Sequence, residues 1–371
     1  MICELKRTNL RDLVSLVSKG ITPKYTKEQK NDTITVLNQR TNRNFIIDYS
    51  ASRLHDLSKK KVPKNKLLIN NDILINSTGV GTAGRIAQLF DVIAPTTVDG
   101  HMIILRANKE KIDPLYLGYA LKAQQSVIEE LQEGSTGQTE LNRKRLLDEI
   151  IVQYPENRAQ QEQIGTFFYS IDRKIAINKK INHHLEQMAT LIWQEHFDDS
   201  EINGTLGDIA TISSGKRPPI KSSEITGDMV IPILGANSIM GYTNQSLYDE
   251  KILVTGRVGT HGVIQRHKRP CWVSDNALIL KSDFYELAYQ ILKTIDFVNM
   301  NRGSTQPLIT QTDLKKVPIH IPTKAELFDF ENTVGSLMNR YEANILENEN
   351  LTKIHDALLP KLISGKLSVS N

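Results

Sequence analysis

The residue types with the most chemical promise lie in a few short stretches of the 371-residue chain. Lys59, Lys60, Lys61, Lys64 and Lys66 crowd ammonium groups into one segment, and Arg266, Lys268 and Arg269 make a second basic run. Each run is either a solvated loop or a set of phosphate contacts, which give affinity and salt dependence but carry no sequence information. Base edges ask for the fixed donor and acceptor geometry of Arg, Asn and Gln. Arg40, Asn42 and Arg43 offer it in the first half of the chain, and Asn237, Asn244 and Arg257 are their counterparts by type in the second.

Residues for catalysis or cofactor binding are not evident. Gly79-Val80-Gly81-Thr82-Ala83-Gly84 satisfies the string G-x-G-x-x-G. A P-loop needs Lys followed by Ser or Thr after its last glycine, whereas here Arg85 and Ile86 follow. A dinucleotide site needs a helix after the glycines and a carboxylate about twenty residues on. Here a short apolar stretch closes at Pro95, and Asp99 falls too early. The turn reads better as strand–turn–strand, either structural or facing DNA. There is no Asp-Pro-Pro-Tyr or Asn-Pro-Pro-Tyr methyltransferase loop, no H-E-x-x-H, no G-x-S-x-G and no C-x-x-C. Cys3 and Cys271 cannot build a disulfide framework or a four-ligand zinc site, and His261 and His267 read as part of a basic loop. The expectation is a chain with no catalytic, cofactor or metal residue of its own.

The elements that must hold these residues follow from composition and repetition. Apolar residues make up 39% and charged residues 24%, which suits a soluble globular chain. Its length fits two domains with helix to spare. No apolar run is long enough for a membrane span and the N-terminus has no signal-like apolar core, so a cytoplasmic protein is expected. The net charge of +4 is unevenly spread: residues 1–155 carry +6 and 201–322 carry +2, while 156–200 and 323–371 carry −2 each. Polyanion binding, if it occurs, belongs to the globular stretches.

The chain is written twice. Leu10–Pro23 resembles Leu206–Pro218, Asp72–Gln88 resembles Glu250–Gln265 around a Gly-Thr-x-Gly turn, and Gly134–Thr136 recurs as Gly303–Thr305. Each half then enters a long segment with apolar residues every three or four positions. A shift of 170 places Ile164 on Val334, Ile171 on Tyr341, Ile175 on Ile345, Asn178 on Asn348 and Met188 on Leu358 without a gap. With Leu185 and Leu337 these residues form one stripe per helix, and a single stripe on so long a helix asks for a partner helix. The other copy is the obvious one. Asn178 and Asn348 are either polar seam residues that set register or flanking surface residues. His183 and His184 read as solvent-facing.

An α+β architecture follows: a unit over 1–155, a helix over 156–200, a second unit over 201–322 and a second helix over 323–371. Antiparallel helices would give this arrangement pseudo-two-fold symmetry, matching the symmetry of duplex DNA. A coiled-coil scaffold binding protein or RNA, or a standalone nuclease, are the competing readings. A shared positive face on both units would argue against the first, and converging carboxylates would argue for the second.

The helices carry a family resemblance. Ser170-Ile171-Asp172-Arg173-Lys174-Ile175 running through Asn182, and Leu358-Leu359-Pro360-Lys361-Leu362-Ile363-Ser364-Gly365-Lys366-Leu367, resemble the specificity subunits of type I restriction–modification systems. The resemblance spans the whole chain and is weaker within the globular units. It implies two target recognition domains, each reading half of a split, asymmetric DNA site. It also implies an antiparallel intramolecular coiled coil that sets the gap between half-sites and docks two methyltransferase subunits. Adenine methylation would use S-adenosylmethionine bound to those subunits, and cleavage would use ATP and Mg on motor–nuclease restriction subunits.

Overall fold

Alternation along one strand organises each half of the molecule. In a computed structural model, which describes residues 5–134, 139–197, 200–258, 262–300 and 308–368, the chain divides into two compact units. The first comprises Met1–Ala176 with Glu347–Asn371 and the second Ile177–Leu346. The division runs through the long helices and not at their ends, so each unit owns one half of both.

In the first unit the strand Ile73–Asn76 is central to an antiparallel sheet, between Met102–Ala107 and Ile86–Gln88, with Val14–Lys19 beyond. Successive side chains of a strand point to opposite faces. Ile73, Ile75, Ile103 and Leu105 therefore enter one core with Tyr116, Tyr119 and Phe168. Leu74, Met102 and Ile104 enter another with Leu37, Leu68 and Val98. Burial on both faces explains why Ile73-Leu74-Ile75 is an unbroken apolar run. The second core is closed by a mixed sheet of Thr96–Val98, Thr33–Leu37, Arg53–Asp56 and Tyr25–Thr26, and Leu5–Asn9 pairs with Ile151–Pro155.

The second unit repeats the plan. Thr211–Ser214, Ala277–Lys281, Ile252–Gly256 and Gln265–His267 form its main sheet, and Ile239–Thr243, Ile231–Leu234 and Trp272–Val273 the smaller one. Leu253, Leu278 and Leu280 pack with Tyr285 and Tyr289, while Ile252, Val254 and Ile279 pack with Leu234 and Val273. Backbone bonds fix the equivalence between units. Ser77 N donates to His101 O and Leu141 N to Ser77 O, as Arg257 N does to Asn276 O and Ile309 N to Arg257 O. Arg257 thus stands where the first unit has Ser77.

Arg158–Phe197 and Lys324–Ile363 are continuous helices of 40 residues each, about 60 Å long at 1.5 Å per residue. Within the first unit the ring of Phe168 lies 5.3 Å from that of His355, and Lys174 pairs with Glu347 at 3.1 Å. Within the second, Asn182 Nδ2 donates to Tyr341 O at 2.9 Å and Phe197 meets Phe330 at 5.3 Å. In both, contacts move down the second helix as they move up the first, so the paired segments run in opposite directions.

Of the stripe residues, Ile164, Ile171, Asn178 and Val334 are buried, and Ile175, Leu185, Leu337, Tyr341, Asn348 and Leu358 are half-buried. Met188 and Ile345 depart from the expected seam, at 48% and 37% exposed. The neighbouring Ala189 and Asn344 occupy the buried positions instead, at 0% and 1%. The interior of these segments is partly polar: Asn344 Nδ2 donates to Asn182 Oδ1 at 2.8 Å, and Asn182 is only 7% exposed.

A short helix in each unit ties the sheet to the long helices. Pro114–Lys122 starts well, with proline in its first turn and the Asp113 side chain accepting from Tyr116 N. Tyr119 donates to Asp172 at 2.9 Å, as Tyr289, 170 residues later, donates to Glu186 at 2.6 Å. Burial pushes both phenols up, and the neighbouring carboxylates add to the shift.

Candidate nucleic-acid interface

The first unit brings Arg40, Asn42 and Arg43 together with the glycine turn. They line an open cavity of about 620 Å³, along with Gln39, Thr82 and Arg85. One wall is the loop after Thr33–Leu37, in which Arg40 N donates to Asn38 Oδ1 at 2.9 Å and Thr41 Oγ1 to Asn38 O at 2.7 Å. The loop ends in left-handed backbone at Asn44 and Phe45, with φ of 52° and 66°. Non-glycine residues adopt that region at a cost. Phe45 is held there by burial, its ring 5.2 Å from that of Tyr119.

The other wall is the Gly79–Gly84 turn. It joins two antiparallel strands, Ile73–Asn76 and Ile86–Gln88, so the helix a dinucleotide site requires is not there. Gly84 has φ of 86° and a Cβ on it would lie 2.7 Å from Glu129 Cα, so glycine is required for both conformation and space. Arg85 leaves the turn half-buried, its Nη2 donating to Gly81 O at 2.9 Å.

Asn42 departs from its expected role. It is 1% exposed, and its Nδ2 donates to Asn76 Oδ1 at 3.1 Å and Arg85 O at 2.9 Å. It clamps the two walls together and is not positioned as a base reader. Arg40 and Arg43 stay exposed at the rim.

The lysine run is an exposed loop pinned from below. The buried His55 accepts from Lys24 N through Nδ1 at 2.8 Å, and its Nε2 meets Lys60 O at 2.8 Å. Lys66 Nζ donates to Gly20 O at 3.0 Å and Lys60 Nζ to Thr22 O at 3.0 Å, while Lys59 pairs with Asp56 at 3.4 Å. Lys61 and Lys64 are exposed.

The second basic run is largely structural, a correction to the expectation from sequence. Arg266 pairs with Leu253 across the edge of the sheet as Gln88 pairs with Ile73, and both turn toward the short helix. Its side chain is 5% exposed, donating to both Glu286 oxygens at 2.6 and 2.8 Å and to Glu342 at 2.9 Å. The rings of Tyr285 and Tyr289 lie 4.8 and 4.6 Å from the guanidinium. Burial works against its charge, but hydrogen bonds to Glu286 outweigh this and raise its pKa. Lys268 pairs with Glu342 at 2.7 Å, and Arg269 lies on the exposed surface. The equivalence also shows that Gln88 corresponds to Arg266, and not to the Gln265 that the sequence repeat aligns with it.

Asn237 is exposed on the hairpin joining Ile231–Leu234 to Ile239–Thr243, and the exposed Asn244 donates to Asp228 at 3.1 Å. Arg257 is half-buried at the end of Ile252–Gly256. Cys3, Ser135, Thr136, Gly259, Thr260, His261 and Gly303–Thr305 lie outside the described residues. Among the described residues no group of His, Cys, Asp or Glu could hold a metal ion, and no helix is long and apolar enough to cross a membrane. Sequence reasoning missed Gln39 and Arg85; their one signal was position, beside Arg40 and directly after the glycine turn.

Two like α+β units, each presenting polar loops from a common sheet frame, define a duplicated recognition module. A model of the type I restriction modification DNA specificity domain matches residues 4–187 and 199–355. A Methanocaldococcus jannaschii chain named as the MjaX type I restriction enzyme specificity subunit is 23% identical, covering 97% of this chain and 93% of its own. The MjaIX specificity subunit of the same organism is 25% identical, covering 95% and 91%. A crystal structure of the type I system S subunit from M. genitalium shares the fold, with a TM-score of 0.65 at 18% identity over 97% of this chain and 96% of that one. The chain belongs to the type I restriction–modification DNA specificity family. It is a non-catalytic subunit with a role in DNA recognition.

Proposed function

We propose that the chain reads a bipartite, asymmetric site in double-stranded DNA, one half-site per unit. The observation that supports this best is one backbone frame carrying different side chains at equivalent places. Arg85 answers to Val263 by their position after Gly84 and Gly262, and the half-buried Arg257 stands where the first unit has a fully buried Ser77. Framework identity with changed contact groups is what two different half-sites require. Exposed Lys59, Lys60, Lys61, Lys64 and Arg269 would contact phosphates, and Arg40, Arg43, Asn237, Asn244 and Arg257 lie on the loops that would approach bases. The stretches 1–155 and 201–322 would act as target recognition domains. The long helices would form an intramolecular antiparallel coiled coil that sets the unread gap. The same helices would dock two methyltransferase subunits, which bind S-adenosylmethionine, and restriction subunits using ATP and Mg would join in complexes that cut.

The test is to co-express the chain with its methyltransferase partner and map methylated adenines across a genome. A single split motif is expected; methylation without a motif, or none, overturns the reading.

A further inference from the structure

We propose that Arg85 is a specificity-determining residue of the first unit. Its guanidinium reads the guanine of a G·C pair in the major groove. The inference rests on the DNA-reading role proposed above.

Donor count is the first argument. Arg40, Arg43 and Arg85 line one cavity of about 620 Å³, and none of the three forms an ion pair among the described residues. Guanidinium groups only donate, so the cavity asks for a ligand rich in acceptors. Guanine supplies two, O6 and N7, side by side on its major-groove edge.

Preorganisation separates the three. Arg40 and Arg43 are exposed at the rim, where their long side chains have more rotamer freedom to lose on binding. Arg85 is half-buried in the wall and steered by its bond to Gly81 O, which lowers the entropy lost when a base is bound. Glu129 also lines the cavity but accepts from Gln125 Nε2 at 3.0 Å.

The remaining polar groups argue against adenine. A carboxamide reads adenine by donating to N7 and accepting from N6 together. Asn42 cannot, because its Nδ2 is spent on Asn76 and Arg85. Gln39 Oε1 is buried with no hydrogen-bond partner. An oxygen so enclosed does not meet the N6 amino group of an adenine, so Gln39 does not supply that pairing either. The equivalent of Arg85 in the second unit is Val263, 41% exposed and unable to donate, so this preference belongs to the first half-site alone.

The experiment uses the complex of chain and methyltransferase, first to map the motif and then to bind duplexes of the mapped site. Each guanine in turn is replaced by 7-deazaguanine, which lacks N7. One replacement is expected to weaken the wild-type complex about ten-fold or more, and to leave Arg85→Ala binding unchanged. The Arg85→Ala complex should also methylate sites with other bases at that position, and Arg85→Lys should not restore the choice. A wild-type complex indifferent to every 7-deazaguanine overturns the inference, even if the Ala variant folds poorly. An Arg85→Ala motif identical to the wild type also overturns it, while leaving the split-site reading intact. Only a wild-type complex without a motif removes both.

Discussion

Gly165 and Gly335 stand 170 residues apart, at equivalent turns of the two long helices, yet their surroundings predict opposite effects of one methyl group. A Cβ on Gly165 would lie 2.8 Å from Leu115 Cβ, 2.8 Å from Tyr116 N and 3.1 Å from Asp113 Oδ1. Carbon atoms in good contact lie about 3.5–4.0 Å apart, so the helix or the segment Asp113–Tyr116 would have to give by roughly 1 Å. That segment carries Tyr116 and leads to Tyr119, both fully buried. Overpacking of this kind costs about 1–3 kcal/mol, against about 0.5–1 kcal/mol recovered because alanine favours a helix over glycine. A Cβ on Gly335 meets nothing within 4 Å, so only the gain remains. Gly165→Ala should therefore destabilise and Gly335→Ala stabilise. Thermal unfolding by circular dichroism reads both, at about 2–4 °C per kcal/mol for units of this size. Both tryptophans, Trp193 and Trp272, belong to the second unit, so their fluorescence reports the Gly335 effect selectively. A stabilised Gly165→Ala, or a destabilised Gly335→Ala, would refute the packing argument.

Four further outcomes follow from the same reasoning. Arg266→Ala should cost about 3–5 kcal/mol by stranding the buried Glu286 carboxylate, with no change in the salt dependence of DNA binding; a weaker salt slope would return Arg266 to the DNA surface. Lys61→Ala with Lys64→Ala should lower the slope of log K against log salt by about 0.9 per lost phosphate contact; an unchanged slope makes the loop merely solvated. Although burial opposes it, hydrogen bonding from Tyr289 and Lys293 holds Glu186 below the usual carboxylate range. Its contribution is thus present above its unfolded pKa and is lost as pH falls through its folded one, so Glu186→Gln should flatten the acid limb of the tryptophan-monitored stability profile. Removing one heptad from each long helix should shorten the unread gap in the methylated motif and leave both half-sites unchanged.

How much was legible in the chain depended on whether the signal was local. The two helices announce themselves in every turn, because the 3.6-residue period is written into consecutive residues. The central strands were visible for a similar reason: Ile73-Leu74-Ile75 and Ile252-Leu253-Val254 are buried on both faces and have no polar alternation to mask them. The basic clusters were visible as charge, but charge does not say what it faces. Arg266 and Arg85 are alike as letters. One turns inward at an edge-strand position, where Glu286 and Glu342 wait on other elements, and the other leaves a glycine turn toward an open cavity.

The amino-acid sequence by itself determined the duplication, the two long helices and the absence of familiar catalytic motifs, since each depends on spacing along the chain. Only the tertiary structure decided which members of those patterns are available. Asn42 became a clamp between loops, Met188 yielded its buried position to Ala189, and Gln88 proved equivalent to Arg266. The physical reason is common to all three. A side chain's partners come from segments far away in sequence, and a shift of one or two residues in strand or helix turns it from the interior to the solvent.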